Sequence, residues 1–67
     1  MSNNYKNNAL REFSEFSKQF PEYSVGEILY STIRMMSVSK LSELLDKTDE
    51  EVYTSINKAI ESEKEVI

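Results

Sequence analysis

The sequence predicts an all-α fold: a compact bundle of three longer helices and one short helix. Apolar residues recur at spacings of three and four along most of the chain, and no stretch alternates as a half-buried strand does. Ser24 with Glu27, and Thr48 with Glu51, match the Ser/Thr-x-x-Glu box that opens helices. One glycine, one proline, three phenylalanines and four tyrosines suit helix packing around large apolar side chains.

The first helix is predicted over residues 5–20, where Tyr5, Ala9, Phe13, Phe16 and Phe20 form a stripe with Leu10 beside it. Its asparagine-rich start offers several N-caps. Pro21 ends it, because a proline pushes the preceding residue out of the α region. A second helix, 24–36, opens on the Ser24–Glu27 box, with Tyr23 and Ile28 placed as a hydrophobic staple. Its predicted buried face is Val25, Ile28, Leu29, Ile33 and Met36. A short third helix, 38–46, takes Ser37 or Ser39 as cap and Val38, Leu41, Leu44 and Leu45 as inner face. The fourth, 49–62, opens on Thr48 and Glu51, with Asp49 and Glu50 favouring the positive end of the helix dipole. Val52, Ile56, Ala59 and Ile60 form its apolar face. Glu63 falls on that same stripe, so docking is expected to stop near Ile60 and the tail 61–67 to fray. Helix 1 is expected to lie across helices 2 and 4 through its phenylalanines.

Residues 1–67 make one small domain, and a chain this short buries only about 60% of the surface it exposes when unfolded. Cysteine and histidine are both absent, so neither a disulfide nor a structural zinc site can staple it. Stability must come from helix packing or from association, and a homo-oligomer is one expected outcome. No apolar run approaches the roughly 18 residues of a membrane span. With no secretion-signal pattern at the start, a cytoplasmic location is expected. The net charge of −4 is unevenly placed. Residues 1–40 carry five basic and four acidic side chains, whereas residues 41–67 carry three basic and eight acidic ones. The acidic half disfavours a nucleic-acid or anionic-membrane surface there and favours solubility or a basic partner.

Catalysis is not expected. The commonest general base and the best nucleophile, histidine and cysteine, are missing, and the serines lie at caps or on helix surfaces without an evident base. Carboxylate pairs need a cleft that separates their pKa values, and a domain this small has little room for one. Asp46, Asp49, Glu50 and Glu51 do not have EF-hand spacing, and the central glycine of that loop is missing. Neither a metal nor a cofactor is expected.

Within 41–60, Leu41, Leu44 and Leu45 make a short apolar face, Asp46-Lys47-Thr48 a tight break, and Val52, Ile56, Ala59 and Ile60 a second face. The segment from Leu41 to Ile56 resembles the helix-turn-helix DNA-binding motif of phage and bacterial repressors. Leu41, Leu45, Val52 and Ile56 stand where that family packs its two helices together, and Ser42 takes its small-residue position. The resemblance, over about a quarter of the chain, implies a helix-turn-helix-like C-terminal half. Asp46 replaces the usual turn glycine, however, and Lys47 stands at a usually apolar position. Asp49-Glu50-Glu51 occupies the base-reading end, where phosphates would repel it, so no DNA-contacting role carries over.

The expected function is therefore binding to a larger protein, as an adaptor, inhibitor or assembly factor. Glu27, Tyr30, Arg34 and Met35 form the first candidate surface. Tyr30 and Arg34 are four residues apart, close enough to stack, and both types are enriched among residues that dominate interfaces. Met35, off the main stripe, offers a flexible contact. The second candidate surface is Asp49, Glu50 and Glu51. Two alternatives go with residues 41–60: a DNA-binding regulator, or an acidic nucleic-acid mimic of the kind small phage-encoded inhibitors provide.

Overall fold

A computed structural model describes residues 4–66. Helix α1 spans Tyr5–Gln19, α2 spans Val25–Arg34, a 3-10 helix spans Leu41–Asp46, and α3 spans Asp49–Val66. Among the described residues there is no strand. The bundle of three longer helices and one short one matches the expectation, with boundaries set by local chemistry. Asn4 stands at the N-cap of α1 without a side-chain bond; residues 1–3 of the asparagine-rich start lie outside the described residues. Gln19 is the last residue of α1, and Phe20, its C-cap, stands before Pro21. At Ser24 the box closes in both directions: the Glu27 N–H donates to the Ser24 hydroxyl (3.1 Å) and the Ser24 N–H to the Glu27 carboxylate (2.6 Å). Thr48 and Glu51 repeat this at 2.8 and 3.1 Å.

The core holds Ala9 and Phe16 from α1, Ile28 from α2, and Ile56, Ala59 and Ile60 from α3. Phe13, Phe20, Tyr23, Val52 and Tyr53 close around it. Phe16 is fully buried and meets Phe20 and Tyr23 at ring-centroid distances of 5.4 and 5.9 Å, so the turn at Pro21 is held by an aromatic cluster. Tyr5 and Tyr53, 5.7 Å apart, join the start of α1 to α3. Thr32 and Ser55 are also buried, and each hydroxyl donates to the carbonyl four residues back, Ile28 at 2.9 Å and Glu51 at 2.8 Å. That self-supplied bond lets a polar residue enter the core without an orphaned group.

Helix α1 lies mainly along α3, and α2 packs on α3 as well, whereas α1 and α2 meet only over a short stretch. Helix 1 thus lies against both other long helices, as expected, but unequally, and α3 is the common support. A consequence is that α2 turns Ile28 and Thr32 inward, with Met36 following in the turn after it, and leaves Val25 and Leu29, both expected in the core, exposed.

Two further expectations change at the C-terminal half. The predicted helix 38–46 is a 3-10 helix from Leu41, with neither Ser37 nor Ser39 as its cap. Ser37 instead adopts φ 57° as the chain leaves α2, and the Ser39 N–H donates to the Glu43 carboxylate at 2.9 Å. Leu41 and Leu45, expected as an inner face, are 73% and 88% exposed. The outline of a short helix, a break at Lys47–Thr48 and a long helix is kept, but these two leucines do not pack as the resemblance implies. The tail also differs: α3 continues to Val66, and Ile67 lies outside the described residues. Glu63, expected to stop docking, is itself a docking group. Its carboxylate accepts a hydrogen bond from the Tyr23 hydroxyl and a longer one, 3.4 Å, from Ser31.

Candidate functional site

The outward surface of α2 is built by a helix with more apolar residues than neighbours. Its inner ridge, Ile28 and Thr32, is taken up by the core. Val25 and Leu29, one turn apart, and Tyr30 beside them are exposed, Val25 by 74% and Tyr30 by 66%. Arg34, one turn beyond Tyr30, places its guanidinium carbon 5.8 Å from the ring centroid, a cation–π stack. Stacking holds two long side chains in one arrangement before a partner arrives, which lowers the ordering cost of a contact there.

Of the four residues in the first candidate surface, the structure therefore brings Tyr30 and Arg34 together and exposes both. Glu27 is exposed too, but its carboxylate is committed to the Ser24 N–H, so it serves the helix start first. Among the described residues no ion pair joins Arg34 to Glu27 or Glu22. Met35 is a correction: it is half-buried and packs against the core, because the chain turns at 35–37 and folds it inward. Tyr23, Ser24, Gly26, Glu27, Tyr30, Ser31, Arg34 and Glu63 line one shallow depression between α2 and the last turns of α3. Sequence reasoning did not reach the contribution of Tyr23 and Glu63. The signal was the position of Glu63 on the apolar stripe, which marks a carboxylate facing a neighbouring helix.

Hydrogen bonding to Glu63, together with desolvation and the nearby negative charges of Glu63 and Glu27, raises the Tyr23 phenol above its usual 10.0. At the second candidate surface, Asp49, Glu50 and Glu51 are all exposed at the first turn of α3. Glu51 accepts the Thr48 N–H, and that bond holds its carboxyl below the usual carboxylate range. One of the three acids is thus spent on the helix start. Among the described residues no three acidic side chains converge to hold a metal ion, and no helix is long and apolar enough to cross a membrane.

A second apolar feature lies on the other flank of α2, and the sequence did not reveal it. Where α1 and α2 diverge above their common support, Leu10, Phe13, Ser14, Ser17, Val25, Ile28 and Leu29 line an open groove of about 350 Å³. No charged residue lines it.

Comparison with protein-family models, with curated proteins and with solved structures finds no match to this chain.

Proposed function

We propose that this chain is a small acidic cytoplasmic protein-binding module that docks a larger protein as an adaptor, inhibitor or assembly factor, with Tyr30 and Arg34 of α2 at the centre of the contact. One observation carries the reading: Tyr30, 66% exposed in the middle of a helix, is stacked with Arg34 and flanked by exposed Leu29. Tyrosine and arginine dominate interface energetics because each couples a large contact area to a polar or charged end. Their arrangement on a regular helix, held by a capping box at one end and by core packing beneath, presents that area rigidly.

The test is affinity capture from lysate of the native host, with wild type and Tyr30→Ala as matched baits. Wild type is expected to retain one protein in stoichiometric amount, and Tyr30→Ala to lose it while keeping the same helical circular dichroism. Equal retention by the two baits, or recovery of duplex DNA in place of a protein, would overturn the reading.

A further inference from the structure

We propose that the groove between α1 and α2 receives the 3-10 segment of a second copy of this chain, with Leu41 and Leu45 as the inserted side chains. Each half of the chain has one apolar feature that its own fold leaves without a partner. In the N-terminal half it is the groove, with Phe13 and Ile28 as its floor and exposed Leu10, Val25 and Leu29 as its walls. In the C-terminal half it is the segment Leu41–Asp46. Leu41, Leu44 and Leu45 have the spacing of one α-helical face, yet they are wound as a 3-10 helix that half-buries Leu44 alone of the three. Leu41 and Leu45 stand in water at 73% and 88% exposure. A short apolar stripe docking in a helix-lined groove is a recurrent recognition mode.

Charge selects between occupants. Lys6 stands one turn before Leu10 on the groove side of α1, whereas Lys18, one turn after Ser14, pairs with Glu15 at 3.7 Å. The α1 carboxylates, Glu12 and Glu15, fall on the opposite side by helical register, and Glu27 of α2 lies two residues from both Val25 and Leu29, hence on the far side of its helix. The groove is therefore uncharged inside, with Lys6 as the net basic charge at its margin. The inserted segment carries Glu43 and Asp46 between Lys40 and Lys47, with Asp49 and Glu50 exposed just beyond, so residues 40–50 hold four acidic and two basic side chains. The two unpartnered features of one chain thus match in polarity and are opposite in charge. A second copy supplies both at once, and the contact is heterologous: the groove of one molecule meets the segment of another. It leaves the stack of Tyr30 and Arg34 free.

Mixing experiments test this directly. Val25→Glu alters only the groove wall and Leu45→Glu only the segment; both positions are largely exposed, so both variants should fold, with circular dichroism as the check. By sedimentation velocity from micromolar to millimolar concentration, wild type is expected to associate and each variant alone to stay monomeric. An equimolar mixture of the two is expected to recover a dimer, because the intact groove of Leu45→Glu meets the intact segment of Val25→Glu. Three results would overturn the proposal: monomeric wild type throughout, unchanged association of Leu45→Glu, or a mixture that stays monomeric. Tyr30→Ala should leave the association unchanged, which separates this surface from the one proposed for a larger protein.

Discussion

Helices α2 and α3 open with the same reciprocal Ser/Thr–Glu box, yet α3 buries or half-buries its whole apolar stripe while α2 leaves Val25, Leu29 and Tyr30 exposed. Composition does not account for the difference, since both helices carry enough apolar side chains for one buried face. Neighbours do. The stripe of α3 is narrow, from Val52 through Ile56 to Ala59 and Ile60, and it is covered by α1 on one flank and α2 on the other. In α2 the apolar residues spread over a wider arc, and only α3 covers it well. A helix with two close neighbours is a structural member, and one with a single close neighbour has surface left over. That surplus is what makes α2 the candidate interface.

The comparison breaks most clearly in the core. Phe16→Ala removes a fully buried ring from the seam between α1 and α3 and should cost about 3–5 kcal/mol, enough to unfold much of a domain this small. Leu29→Ala, on the uncovered side of α2, should cost about 1 kcal/mol at most. Urea unfolding followed by circular dichroism measures both. If the two losses were similar, α2 would be a structural member after all, and its apolar surplus would belong to the core.

A smaller effect is expected where α2 ends. Ser37 holds φ 57°, a left-handed conformation in which a side chain crowds the backbone, and glycine is the residue that takes this position without that penalty. Ser37→Gly should therefore raise stability by about 1 kcal/mol, read as a higher urea midpoint at an unchanged slope. A lower midpoint would mean that the exit from α2 is not held as described, and with it the inward fold of Met35 and Met36.

Much of this architecture was legible because it is written in local chemistry. Ser24, Thr48 and Pro21 act within one turn of themselves, so the helix limits followed from residue type and spacing. What Leu29 or Leu41 faces depends instead on where another helix lies, and a single periodic stripe does not encode that. Leu41, Leu44 and Leu45 read as an α-helical face, but six residues after a left-handed serine are too few to sustain an α-helix alone. Thr32 and Ser55 were passed over as polar, although each lies four residues from a core position, Ile28 and Ala59, on the same ridge. Their hydroxyls bond their own helix, and the core accepts them. At the candidate surface the Tyr30–Arg34 pair was legible from its spacing. The place of Met35 was not, because it depends on the turn that follows.

The link between α2 and α3 gives the subtlest test, through pH. Tyr23, just before α2, donates its hydroxyl proton to Glu63 near the end of α3. With its phenol held above the usual 10.0, the folded state keeps that proton at pH values where the unfolded chain has begun to release it. Where the folded state binds more protons, stability falls as pH rises. The contribution of this bond is thus fully present below about pH 10 and is lost as the pH climbs through the raised folded value. Tyr23→Phe keeps the ring against Phe16 and Phe20 but has no proton to lose. Melting temperatures of the two proteins should separate at neutral pH, with wild type higher, and converge in the alkaline range. Groups common to both proteins cancel in the difference. Parallel curves would mean that the carboxylate of Glu63 does not face Tyr23 in solution. The end of α3 would then be held to α2 by apolar contact and the longer Ser31 bond, without a link to Tyr23.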